Sequence, residues 1–362
     1  LTLHSEKEDY MELLNVKKVS WNNIKNNVIC GIIMTDCAIL ISYLGSERAQ
    51  NIAFGILIIS IVVAAIYFLS LNMIKHKGKK VKISVSILLA VVSGIMFGGA
   101  SIYTLAPTQL FYPHFDKESY DKLQKYEQVE ELKIQKESYE LGGWFLHNGS
   151  GKAPLVIYYG GNGENASTRM LTILEKENLQ ELFSEYNIAI IDYPGYGKSK
   201  GTPPSESSLK EMGIAAFEAL SERDDVDADN IVLMGYSIGT GVANYVASER
   251  NSRGLLLIAP YADGYDLYNQ FADVFYGPMR LLVAFPMESV QFAEQITVQP
   301  MLLASKSDEM VRYESSVRLS KAYQCGVRFE TIEGIKHNEF WGSNIVQQYI
   351  KEYLEEVHPN GK

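Results

Sequence analysis

Three cysteines are all that this 362-residue chain contains, and what they exclude is more informative than what they supply. Cys30 and Cys37 fall in one apolar run and Cys325 stands alone, so neither a disulfide framework nor a C-x-x-C metal-ligand spacing is available. An excess of basic residues is missing as well. Up to Lys82 there are 10 Lys and Arg against 6 Asp and Glu, but beyond it 23 face 37, and the formal net charge is −10. An acidic soluble part argues against nucleic acid as a partner, because such binding displaces counterions with a basic surface. No internal repeat and no low-complexity tract occurs.

Charge is absent altogether from residues 51–74 and 83–106. Each run is long enough to cross about 30 Å of hydrocarbon as a helix. A third run, 28–44, is shorter and carries Asp36 near its middle, and it too is expected to span. Five lysines lie in the loop 75–82, which marks that loop as cytoplasmic. The expectation is therefore a multi-pass protein of the cell membrane, held in the lipid bilayer by its N-terminal helices, with everything after residue 106 outside the cytoplasm. A cleaved signal peptide is a poor reading, since the first apolar run begins only at residue 28. The organisation reads as a tail (1–27), a membrane region (28–107), a connector (108–127) and a soluble domain (128–362).

The soluble domain alternates short β-like runs with longer helical ones. Strands are expected at 129–135 and 139–147 (an antiparallel pair), 153–159, 187–193, 230–236, 254–259, 301–304 and 328–332. Helices are expected near 167–184, after a capping box opened by Ser208 with Glu211, after Ser237, and near 311–324 and 343–356. That alternation predicts an α/β fold with a mostly parallel sheet covered on both faces. Residues 261–296 are too long for a turn and rich in aromatics (Tyr265, Tyr268, Phe271, Phe275, Tyr276, Phe285, Phe292), which suggests a small helical lid and an apolar acyl pocket, although such rings serve as often for a lid's own packing.

Gly235-Tyr236-Ser237-Ile238-Gly239 follows an apolar strand and precedes a helix, the context in which a serine is forced onto a tight turn with its hydroxyl exposed. A serine nucleophile needs a base and an acid that orients the base. Of six histidines, His337 sits just past a strand and before the last helix, at the same sheet edge as Ser237. Asp308 follows the strand at 301–304, and the order Ser, Asp, His agrees with it. Glu309 and Asp263 are lesser candidates for the acid. The oxyanion donors are expected to be the backbone N–H groups of Ile238 and of Asn162, the latter in the glycine-dense loop 160–165. That loop matches neither G-x-G-x-x-G nor G-x-x-x-x-G-K-[ST], so a phosphate cradle is not expected, and neither a cofactor nor a metal is called for.

With these motifs in register, residues 128–357 resemble the α/β-hydrolase superfamily, and within it the membrane-associated serine hydrolases that carry an H-G-N-x-x-N oxyanion loop and a D-Y-x-G-Y-G-x-S segment. Here those segments read Gly160-Gly161-Asn162-Gly163-Glu164-Asn165 and Asp192-Tyr193-Pro194-Gly195-Tyr196-Gly197-Lys198-Ser199. The resemblance implies an α/β-hydrolase fold, a structural rather than catalytic Asp192, and acyl-protein thioesterase, esterase or peptidase-like activity. One departure stands out: Gly160 occupies the place of the usual loop histidine. The expected function is cleavage of a small acyl ester, or of a lipid-like or acylated substrate, through a Ser-His-Asp triad. An acyltransferase and a non-catalytic sensor or scaffold are the alternatives.

Overall fold

The computed structural model describes residues 110–358 apart from 149, 150 and 272, with a few isolated positions between 76 and 94. The chain divides into two units, Leu1–Thr104 and Leu105–Lys362, of which the second carries the sheet. The runs 28–44 and 51–74 lie outside the described residues, as does nearly all of 83–106. Among the described residues no helix is long and apolar enough to cross a membrane.

Eight strands form one sheet: β1 (Val129–Gln135), β2 (Glu140–Leu146), β3 (Ala153–Tyr159), β4 (Asn187–Ile191), β5 (Val226–Tyr236), β6 (Gly254–Ile258), β7 (Met301–Ser305) and β8 (Arg328–Ile332). Their order across the sheet is β1-β2-β4-β3-β5-β6-β7-β8. β2 runs antiparallel to both β1 and β4, and the remaining neighbours pair in parallel. The central strands are buried on both faces, which is why they read as unbroken apolar runs. Alternate residues feed opposite cores. Leu155 and Ile157 of β3 join one cluster, and Val156 and Tyr158 join the other.

The helices cover these two faces. α1 (Lys117–Leu123), α2 (Ala166–Glu175), α3 (Glu177–Leu182) and α9 (Asn344–Val357) contribute Leu123, Met170, Leu179 and Ile350 to one core. α4 (Glu206–Ser221) and α5 (Gly239–Glu249) contribute Met212 and Val242 to the other. Two helix expectations need correction. The stretch 167–184 is not one helix, because Lys176 is extended at φ −109° and ψ 109°. An unbroken helix would continue the Leu171, Leu174 stripe through residue 178, and the break brings Leu179 inward instead. The capping box of α4 is formed by Ser205 and Ser208, not Ser208 and Glu211. Each of the two serine hydroxyls accepts the other residue's backbone N–H, at 3.1 and 2.8 Å.

The segment between β6 and β7 folds as α6 (Gly264–Phe271), a 3-10 turn at Gly277–Leu282 and α7 (Ser289–Ala293), followed on the far side of β7 by α8 (Tyr313–Ser320). Tyr268, Phe275 and Phe285 are buried in the core here, and Phe285 meets Phe111 edge to face at 5.3 Å. These three aromatics thus pack against their own domain, whereas Tyr276 is half exposed.

Residues 110–116 are part of the folded body. Leu110 and Phe111 are buried. The Tyr112 N–H donates to the Tyr196 hydroxyl at 2.7 Å, and that hydroxyl donates to the Asn162 carbonyl at 2.7 Å. The Asn165 side-chain amide meets His114 Nε2 at 2.8 Å, while His114 Nδ1 lies 3.1 Å from the Tyr112 carbonyl.

Candidate active site

Loops at the C-terminal ends of four parallel strands, β3, β5, β7 and β8, meet at Ser237. The turn between β5 and α5 holds Ser237 at φ 54°, a left-handed conformation that non-glycine residues adopt rarely. Its neighbours make the turn possible. A Cβ on Gly235 would stand 2.6 Å from the Thr240 Cα, and one on Gly239 would collide with the carbonyls of Tyr159 and Gly160. The Ser237 N–H is anchored to the Ile258 carbonyl at 2.9 Å.

His337 opens the 3-10 turn His337–Gly342 after β8, and its Nε2 is 2.9 Å from Ser237 Oγ. The other ring nitrogen, Nδ1, lies 2.8 and 3.0 Å from the two carboxylate oxygens of Asp308, which follows β7. A carboxylate only accepts, so Nδ1 carries the proton and Nε2 is left to accept from the serine hydroxyl. Asp308 is fixed in turn by the N–H groups of Met310 and Val311, both at 2.8 Å from Oδ1. The His337 and Asp308 side chains are 8% and 2% exposed, which keeps water from competing for the Nδ1 bond. The structure therefore brings the three sequence-predicted side chains into one hydrogen-bonded chain.

The two lesser acid candidates do other work. Asp263 pairs with Arg318 at 2.5 Å, and burial raises its carboxyl above the ordinary range. Glu309 accepts the His337 backbone N–H at 3.2 Å.

The loop 160–165 lies against the serine: a Cβ on Gly161 would stand 3.1 Å from the Tyr236 ring and 3.7 Å from Ser237 Cβ. Among the described residues neither the Asn162 nor the Ile238 N–H has a hydrogen-bond partner, whereas both carbonyls are engaged, by Tyr196 and by Tyr261 with Gly241. Free amides beside a serine are what an oxyanion requires. The cleft in front of Ser237 has a volume of about 390 Å³ and is lined by Asn162, Glu164, Arg169, Lys176, His337 and Trp341 among others. No residue of the 261–296 segment lines it, so the expectation that its aromatics form an acyl pocket is not met in this cleft.

Asp192 lies behind the loop and outside the Ser237 chain. Its carboxylate accepts the N–H groups of Ala166 at 2.7 Å and Lys198 at 3.1 Å, and burial pushes its pKa up to about 6. No group of three or more metal-ligating side chains converges among the described residues.

Sequence reasoning passed over Tyr236, the second residue of the pentapeptide. Its ring stacks on His337 and its hydroxyl donates to the His337 carbonyl at 2.6 Å. It also passed over the Glu164–Arg169 pair. A signal was present for the first, an aromatic adjacent to the serine, but its partner is 101 residues away.

Comparison with known proteins agrees with this architecture. A family model described as alpha/beta hydrolase fold matches residues 153–276. An uncharacterized protein of Mycobacterium tuberculosis is 29% identical over 222 residues, covering 60% of this chain and 75% of that one. The human alpha/beta hydrolase domain-containing protein 17C is 29% identical over 177 residues, 48% of this chain and 51% of its own length. Among solved structures, an esterase of Pyrococcus furiosus superposes with a TM-score of 0.53 at 17% identity, covering 68% of this chain and 98% of that one. Est1E from Butyrivibrio proteoclasticus, with ferulic acid bound, gives 0.52 at 21% identity over 62% and 98%. At such identities the structural likeness speaks for the fold.

Proposed function

We propose that this chain, whose residues 153–276 match a family model described as alpha/beta hydrolase fold, is an α/β-hydrolase and a membrane-anchored serine hydrolase cleaving carboxylic esters, with thioesters or amides as closely related substrates. The observation that carries the reading is the run of bonds from Asp308 through His337 to Ser237, with the serine held at positive φ. Ser237 Oγ attacks the acyl carbonyl as its proton passes to His337 Nε2. Asp308 keeps the imidazole oriented and offsets the positive charge it gains. The free N–H groups of Asn162 and Ile238 receive the oxyanion. His337 then returns the proton to the leaving alcohol, thiol or amine. Water, activated by the same imidazole, releases the acid from the acyl-enzyme.

Anchoring rests on the charge-free runs 51–74 and 83–106 and the shorter run 28–44, and the lysine loop 75–82 supports a hydrolase domain on the extracytoplasmic side. Protease added to intact spheroplasts is expected to reach the domain; protection of the domain with exposure of the lysine loop would overturn that orientation.

A fluorophosphonate probe tests the chemistry. The full chain is expected to be labelled, and Ser237→Ala to abolish labelling. A well-folded wild type that resists the probe would leave a non-catalytic scaffold as the reading, and turnover only with an added alcohol or amine acceptor would make it an acyltransferase.

A further inference from the structure

The loop that carries the Asn162 amide has glycine at its head, yet it is held by several hydrogen bonds. The Gly160 carbonyl accepts from the Tyr193 hydroxyl at 2.5 Å. The Gly161 N–H donates to Glu164 Oε2 at 3.1 Å, and the Glu164 N–H returns to the Gly161 carbonyl at 3.2 Å. The same Oε2 takes the Tyr158 hydroxyl at 2.6 Å, and the other carboxylate oxygen pairs with Arg169 on α2. The Arg169 guanidinium in turn lies over the Trp341 ring, 4.6 Å from its centroid. Trp341 belongs to the 3-10 turn that begins at His337.

One carboxylate therefore sits at the junction of two halves of the site. On one side it closes the turn around Asn162, and on the other it reaches, through Arg169 and Trp341, the segment that bears the imidazole. Its place is available because residue 160 has no side chain: a Cβ there would stand 2.7 Å from Glu164 Oε2 and 3.3 Å from Glu164 Cβ. Either the carboxylate or a side chain at 160 can occupy that space, but not both in these positions.

Resting on the hydrolase reading, we propose that Glu164 is the positioning residue for the oxyanion donor, fixing the Asn162 amide and tying its loop to the His337 segment in the space Gly160 leaves open. It acts through the loop and touches no reacting atom. Charge-assisted bonds of a carboxylate to an amide and a guanidinium suit it to that task, because they hold direction as well as distance. A loop displaced by a fraction of an ångström would still bind substrate but would meet the oxyanion poorly, so the loss falls on kcat rather than KM.

The test is a double-mutant cycle in the full-length chain on Gly160→Ala and Glu164→Ala, with Glu164→Gln as the conservative variant. Hydrolysis of p-nitrophenyl esters gives kcat and KM, and hydrogen exchange of the peptide spanning 158–166 reads loop anchoring without activity. Glu164→Ala is expected to lower kcat by about tenfold or more with KM within about twofold, and to accelerate exchange in that peptide. Glu164→Gln, which keeps an acceptor for the Gly161 N–H, recovers most of kcat. Gly160→Ala alone displaces the carboxylate and lowers kcat, but adds nothing in the Glu164→Ala background. Wild-type exchange in Glu164→Ala, or independent multiplication of the two losses, overturns the proposal. Absence of wild-type hydrolysis would instead fail the hydrolase reading, and the exchange comparison would still decide the role of Glu164.

Discussion

The Tyr236 ring lies against the His337 imidazole, 5.2 Å between centroids at an interplanar angle of 24°, and its hydroxyl donates to the carbonyl of the same histidine at 2.6 Å. The residue next to Ser237 thus holds His337 by ring and by backbone at once. Tyr236→Phe keeps the stacking and drops the bond. It is expected to lower kcat about tenfold, the worth of one well-placed hydrogen bond in a desolvated site, with KM little changed. Steady-state kinetics on p-nitrophenyl esters would measure it, and an unchanged kcat would show that the hydroxyl does not position the base.

Asp308→Asn separates orientation from packing. The amide oxygen can still accept from the N–H groups of Met310 and Val311, so the thermal midpoint should move little. Its amide nitrogen cannot accept from His337 Nδ1, which favours the wrong tautomer, and kcat is expected to fall by about four orders of magnitude. A variant with near-full turnover would remove Asp308 from the mechanism.

Gly239→Ala places a methyl group against the Tyr159 carbonyl, at the end of the central strand β3, and the Gly160 carbonyl that follows it. A loss of roughly 3 kcal/mol in folding stability is expected, at the upper end for overpacking. Urea unfolding would report it, and a stability equal to wild type would mean the turn is looser than described.

Asp192 predicts a pH dependence of stability. Its folded pKa of about 6 exceeds the ordinary value of 3.8 because burial penalises the charge. The folded state therefore binds more protons than the unfolded chain between those two values, and this group's contribution falls as pH rises through that window. Comparing wild type with Asp192→Asn in urea at several pH values, the difference is expected to shift in favour of wild type as pH is lowered from 7 to 4. A difference that stays flat would refute the assignment.

Much of this arrangement was legible in the chain before folding. β3 and β8 fall where apolar and β-branched runs put them, and β5 extends four residues earlier than its apolar core because Val226-Asp227-Ala228-Asp229 looks like a turn but pairs through Ala153↔Val226. Ser237, Asp308 and His337 announce themselves because each ends a readable strand in a readable order. What stayed hidden depends on distance in sequence. Glu164 looks like an ordinary loop carboxylate until Arg169 and Trp341 are folded beside it, and the break at Lys176 is set by which leucine the core receives. The charge-free runs lie almost wholly outside the described residues, and the expectation that they span a membrane rests on the sequence alone.

The bonds from residues 110–116 have a mechanical consequence. Between Tyr112 and the carbonyl of Asn162 there is one phenol, Tyr196, and His114 bonds the side-chain amide of Asn165, the N-cap residue of α2, directly. Residues 110–116 are thus tied to the loop 160–165 by side-chain hydrogen bonds, with no strand of the sheet in between. The segment before α1 therefore serves as a brace for that loop, and removing residues 110–116 would take both ties away.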